Sequence, residues 1–283
     1  MKNNIYIGKT VDQLTFTDNG MFQAVLHNPD VCAEIVERLL HISIEKVEYP
    51  ELEKQIAPFY TTKGVRLDVY LKDKNKIIDV EMQSYSMDSL GKRTRYYQSM
   101  IDMDSLMKGE DYTELKDSYI LFICKDDPFK NSCGKHYGLP CYSFKNICCE
   151  NSNVELNDNS CKVIYNASAY KEAKDERIRD FLKFVCTNEP GKDDFTTRLS
   201  SLVEEIKENE QFRSDYAAMN LHDRDITRAA KREGIAEGAE NAKLEAAQNL
   251  LKMNILTPEQ IAQAAGLPLE KVLELQKELA VMA

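Results

Sequence analysis

The chain has 283 residues, with 47 acidic side chains against 37 basic ones and a formal net charge of −10. Hydrophobic residues make up 43% and charged residues 30%, which marks a globular protein and excludes a largely disordered one. The acidic balance also excludes a surface coated in positive charge, so any contact with nucleic acid must come from a local patch. No apolar run approaches the ~20 residues that span a bilayer. Met1-Lys2-Asn3-Asn4 leads into no apolar secretory segment, so the expectation is a cytoplasmic protein that meets no membrane.

Residues 21–41 read as helix, with Ile35, Val36, Leu39 and Leu40 at helical spacing and a break at Asn28-Pro29. An extended stretch is expected from Ile44 to Tyr49. Two β-like runs follow, Val65 to Leu71 and Ile77 to Gln83, around the polar turn Asp73-Lys74-Asn75-Lys76. Gly91 to Lys108 reads as a helix that Gly109 ends. Tyr119 to Cys124 and Val163 to Asn166 are apolar runs of strand length, and helices resume at Lys171 to Cys186 and Thr196 to Glu210.

The tail changes character. Arg224 to Met253 is rich in Ala, Glu, Lys and Arg, with Gly234 and Gly238 interrupting a good helix. Thr257-Pro258-Glu259 is a helix start, and after Gly266-Leu267-Pro268 a last helix carries Val272, Leu275 and Leu279. This order predicts an α/β protein: a small mixed sheet flanked by helices over residues 1–220, then an all-helical extension over 221–283.

The eight cysteines include no C-x-x-C pair, and the four histidines show no metal-ligand spacing. Reduced, mostly buried thiols are therefore expected rather than zinc.

The hairpin carries the chemistry. Alternation puts Val65, Leu67, Val69 and Leu71 on one face of the first strand, with Arg66, Asp68 and Tyr70 on the other. On the second strand Asp79, Glu81 and Gln83 share a face. Symmetric closure about Lys74-Asn75 sets Asp68 opposite Glu81 and Arg66 opposite Gln83. Two carboxylates ~5 Å apart repel. A shared proton, a cation such as Arg66, or a divalent metal would each offset that repulsion. The plainer alternative is an acidic, solvated hairpin face.

Gly64-Val65-Arg66-Leu67-Asp68-Val69-Tyr70 followed by Ile78-Asp79-Val80-Glu81-Met82-Gln83 resembles the active-site hairpin of PD-(D/E)XK nucleases. More narrowly, it resembles the bacterial recombination-promoting nuclease/transposase family, in which the ExK motif ends in ExQ. Further matching segments are Lys92 to Asp102, Leu106 to Leu115, Ser118 to Phe129 and the Gly/Ala/Glu tail after Arg232.

The resemblance implies a restriction-endonuclease-like fold and a Mg²⁺- or Mn²⁺-dependent endodeoxyribonuclease, a hydrolase acting on DNA with a history in transposition and recombination. Asp68 and Glu81 would be metal ligands, with the Met82 carbonyl a third. Gln83 stands where most such nucleases have lysine. It orients water and donates a neutral hydrogen bond, without lysine's charge. An upstream acid sometimes completes such sites, and Glu34 and Asp18 are the candidates. The rival expectation is a nucleic-acid-binding or assembly protein that keeps the fold without catalysis.

Residues 61–100 hold eight basic side chains against five acidic ones, a local reversal of sign in an acidic chain. Such a patch suits phosphate. Arg66, Arg93, Arg95 and Tyr96 are the candidate DNA contacts, with one of Tyr96 and Tyr97 expected in the core. Leu256 to Leu279 resembles a helix-turn-helix, but Glu270, Glu274 and Glu278 outnumber Lys271 and Lys277 on its second helix. A helical packing or dimer module, joining like chains, fits that tail better.

Overall fold

The computed structural model describes residues 9–44, 50–57, 63–85, 89–253 and 255–282, with side chains left out at 219–237, 239–240 and 277–282. The expected extended stretch from Ile44 to Tyr49 lies, Ile44 apart, outside the described residues. Two compact units are present, Lys9–Tyr216 and a helical one that begins at Ala217. Among the described residues no helix is long and apolar enough to cross a membrane.

The first unit opens with helices α1 (Asn19–Leu26) and α2 (Pro29–Leu40). The Asn28 side chain starts the second: it accepts from Asp30 N–H at 3.1 Å and Val31 N–H at 3.2 Å, and Pro29 has no N–H to leave unpaired. Strands β1 (Glu51–Ile56), β2 (Val65–Asp73) and β3 (Lys76–Gln83) form an antiparallel meander. Helix α3 (Leu90–Ser105) crosses to β4 (Asp117–Cys124), which lies parallel to β3. Strands β5 (Cys141–Phe144) and β6 (Ser160–Asn166) complete the sheet in the order β1-β2-β3-β4-β6-β5. Helices α4 (Glu176–Thr187) and α5 (Asp194–Glu208) follow.

Both sheet faces are covered, which is why β4 reads as an unbroken apolar run. On one face Val69, Leu71, Ile78, Val80, Leu121 and Ile123 pack with residues of α1, α2, α4 and α5. On the other, Leu67, Tyr70, Ile77, Ile120 and Phe122 pack with Leu90, Tyr97, Met100 and Ile101 of α3. Helix α3 stops at Ser105, three residues short of the expected end, and Gly109 with φ +98° serves the turn beyond it.

Helix α6 (Glu210–Met253) reaches the second unit, whose remaining helices are α7 (Pro258–Ala265) and α8 (Leu269–Met282). Ala247, Ile261, Ala262, Ala265, Leu267, Val272 and Leu275 form a separate small core. Thr257 and Gln260 cap α7 reciprocally, and Gly266 closes it at φ +65°. The cysteines depart from expectation. All eight are free, but only Cys32 and Cys124 are buried, because the others sit on the edge strand β5, at the start of β6, in loops and at the end of α4.

Candidate active site

Regular pairing of β2 with β3 runs from Asp73 opposite Lys76 to Val69 opposite Val80. Beyond that point the ladder stops and side chains take over. The Asp68 N–H donates to Glu81 Oε1 at 2.9 Å, and the Met82 N–H donates to Asp68 Oδ2 at 3.3 Å. Each acid therefore binds the backbone at or beside the other.

The strict alternation expected for β2 fails at this place. Leu67 and Tyr70, three residues apart, share the α3 face, while Val69 and Leu71 face the opposite core. On β1, Glu53 has φ +53° between the pairs Leu52–Val69 and Lys54–Leu67, so both strands switch face together at Glu53 and Asp68. The expected opposition of Arg66 and Gln83 is also not formed. Arg66 pairs with Gln55 across β1 and its exposed guanidinium lies 3.5 Å from Glu53.

The cation beside the acids is Arg93, from the first turn of α3. Its Nη2 lies 2.6 Å from Glu81 Oε2, Nη1 donates to Gln83 Oε1 at 3.0 Å, and Nε donates to the Tyr97 hydroxyl at 2.7 Å. Gln83 turns its amide nitrogen the other way, to the Tyr85 carbonyl at 2.8 Å. Lys92, Arg95 and Tyr96 are exposed on α3, whereas Tyr97 is in the core. The Tyr96 hydroxyl donates to the Lys63 carbonyl.

Negative charge is in surplus here. Glu81 is 1% exposed, and burial, then the neighbouring Asp68, push its carboxyl up to about 8 against the pull of Arg93. Burial also raises Asp68, opposed by the Met82 N–H and Arg93. Asp79 is fully buried; burial first, then Glu81 and Asp68, hold it well above the usual carboxylate range. Among the described residues neither Asp79 oxygen has a hydrogen-bond partner, and nor does the hydroxyl of Tyr70 directly opposite.

The candidate upstream acids are committed elsewhere. Glu34 pairs with Arg38 and Arg198, and Asp18 binds Lys9 at 2.6 Å and the Thr15 N–H at 2.8 Å. Two acids of the site escaped the sequence reading. Asp79 carried a signal, its shared face with Glu81 two residues on; Glu53 carried none, because its approach depends on the face switch in β1.

A mixed six-stranded sheet with helices on both faces is the restriction-endonuclease-like PD-(D/E)XK fold. Residues 21–159 match the family described as PD-(D/E)XK nuclease family transposase. The match ends short of α4 and of the tail after Arg232, to which the resemblance had been extended. No curated protein and no solved structure matches the chain. The class generally uses divalent metal ions.

The donor set fits such an ion. Asp68, Glu81 and the Met82 carbonyl present hard oxygen donors, and Asp68 Oδ1 accepts no hydrogen bond among the described residues. No three His, Cys, Asp or Glu side chains among those residues converge into a ready-made cage. One or two carboxylates, with water and substrate phosphate completing the shell, is the usual way Mg²⁺ is held.

Proposed function

We propose that the protein is a metal-dependent endodeoxyribonuclease that hydrolyses phosphodiester bonds in cytoplasmic DNA, within a recombination or mobile-element system. The observation that carries this reading is the interlock of Asp68 and Glu81 at the mouth of the hairpin, with more carboxyl groups than Arg93 alone can neutralise when they ionise. Without a cation, such a cluster is a cost to the fold.

Asp68, Glu81 and the Met82 carbonyl would hold Mg²⁺ or Mn²⁺, which when bound supplies polarisation of the phosphate and a more acidic water. Gln83 offers an amide to position the reacting groups. Arg66, Arg95 and Tyr96, exposed on β2 and α3, would contact flanking phosphates and bases. The helical extension, with its acidic last helix, serves assembly of like chains.

One observation favours the rival reading, a nucleic-acid-binding or assembly protein without catalysis. Arg93 already occupies Glu81, and Gln83 replaces the lysine. Nicking of supercoiled plasmid in Mg²⁺ or Mn²⁺ decides between them. Cleavage by the wild type and its loss in Asp68→Ala and Glu81→Ala is the expected result. Undiminished cleavage by both variants removes the site, and calorimetric titration showing no Asp68-dependent Mn²⁺ binding supports the rival.

A further inference from the structure

Phosphodiester hydrolysis gathers negative charge on the phosphoryl oxygens as the transition state forms, and a fixed cation there is worth several kcal/mol. Strand β3 provides no such cation, because position 83 is a neutral amide. The guanidinium of Arg93 stands beside that amide instead, delivered by the next helix.

Its placement is over-determined. Glu81, Gln83 and Tyr97 hold three of its nitrogens in one plane, and its central carbon lies 4.9 Å from the centre of the Tyr97 ring and 5.3 Å from that of Phe122. A guanidinium stays charged at any working pH. About a quarter of the side chain (24%) is exposed, against 1% for Glu81, so the cation stands between the buried acid and solvent, where a phosphate would arrive. Gln83 is suited to this arrangement and lysine is not. Its Oε1 accepts from Arg93 while its amide nitrogen is tied to the Tyr85 carbonyl, whereas an ammonium at the same position would repel the guanidinium.

We propose that Arg93 is the catalytic cation of the nuclease site and that Gln83 is the residue that positions it. The inference rests on the nuclease reading. Arg93 donates to a non-bridging oxygen of the scissile phosphate while the water oxygen bonds to phosphorus and one P–O ester bond breaks. The attacking water gives its proton to solvent, the leaving oxygen takes one from solvent, and Arg93 keeps all of its own.

The test is single-turnover cleavage of plasmid in Mn²⁺ by the full chain, with Mn²⁺ affinity and melting measured alongside. Arg93→Gln is expected to cut about 100- to 1000-fold more slowly while still binding Mn²⁺. The double variant Arg93→Gln with Gln83→Lys, which moves the charge onto the strand, is expected to recover at least about tenfold of that loss. A folded Arg93→Gln cutting within threefold of wild type overturns the proposal, and so does a folded double variant no faster than Arg93→Gln. Should Arg93→Gln not fold, Gln83→Met decides, since it keeps the Arg93–Glu81 pair and removes the amide that holds Arg93 together with its anchor on the Tyr85 carbonyl. A tenfold loss at unchanged Mn²⁺ affinity supports the proposal, and full activity overturns it. Absence of cleavage by the wild type removes the nuclease reading and this refinement together, whereas cleavage that Arg93→Gln leaves intact removes the refinement alone.

Discussion

Glu81 accepts the backbone N–H of Asp68 at 2.9 Å, so a side chain of β3 supplies the partner that the main chain of β3 no longer offers β2. Asp68 returns the contact through the Met82 N–H at 3.3 Å. The two acids therefore fix the opening of the hairpin as well as facing its mouth, and alanine at either position disturbs both.

The substitutions separate by shape. Glu81→Gln keeps an oxygen for the Asp68 N–H and removes repulsion toward Asp68, but turns an amide NH2 toward Arg93, which keeps Gln83 and Tyr97 as acceptors. It is expected to cost about 1 kcal/mol relative to wild type, with cleavage lost. Glu81→Ala leaves a buried N–H and a half-buried guanidinium without their partner, at a cost of about 3 kcal/mol. Urea denaturation reads the difference, and equal midpoints for the two variants would deny the interlock its structural part.

Stability is expected to fall as pH rises. Glu81 keeps its proton in the native state up to about 8, against an ordinary value near 4.5 when unfolded. Between those limits the native state binds more protons than the unfolded one, so the free energy of unfolding decreases with pH. The contribution is fully present below about 4.5 and lost as pH climbs through 8. Asp68 and Asp79, also raised, act in the same direction. Metal binding has the opposite slope, because the ligands must be ionised. Melting in EDTA from pH 5 to 9 should show the decline, Glu81→Gln should flatten it, and added Mn²⁺ should stabilise most at the alkaline end. A melting temperature that rises over this range in EDTA would contradict the assignment.

The hairpin register was legible because Lys74-Asn75 is a short polar turn between runs of opposite-face periodicity, and Val69 does stand opposite Val80. The helix start at Pro258 was legible from a capping side chain followed by proline, and the same pair of residue types at Asn28-Pro29 was legible as a break. Less local features were not. Alternation cannot announce its own failure at Asp68, since the face switch is shared with Glu53 on a strand the sequence did not reveal. Strand β5 escaped because Cys141–Phe144 is a half-exposed edge with no clean pattern. Choosing Arg66 as the compensating cation followed from strand proximity. Arg93 won because α3 crosses back over the acidic face of β3, a consequence of chain topology rather than of spacing.

Gly191→Ala should destabilise the unit that carries the site. A Cβ at Gly191 would stand 2.3 Å from the Cβ of Asp180, whose Oδ2 accepts the N–H groups of Lys192 at 2.8 Å and Asp193 at 3.1 Å. Asp193 in turn caps α5 and pairs with the buried Arg38. Displacing Asp180 is expected to cost about 1–3 kcal/mol, as overpacking does. A melting temperature unchanged by this substitution would show that the loop yields freely.

The order in which the acids lose their protons predicts how two asparagine variants differ. Asp68 contributes to raising Glu81, second only to burial. Asp79 is completely buried, no donor among the described residues reaches either of its oxygens, and burial holds it well above the usual carboxylate range, so it is expected to stay neutral while Glu81 titrates. Asp68→Asn removes a charge that opposes ionisation of Glu81, so the Glu81 midpoint should move down from about 8. Asp79→Asn exchanges one neutral group for another of the same shape and should leave that midpoint where it is. Carbon-detected NMR of the Glu81 carboxyl in metal-free protein follows each midpoint directly. The same contrast should appear in Mn²⁺ affinity against pH, with the Asp79→Asn curve overlying wild type. A downward shift in Asp79→Asn as large as that in Asp68→Asn would mean that Asp79 is ionised beside Glu81 and belongs to the cation-binding set.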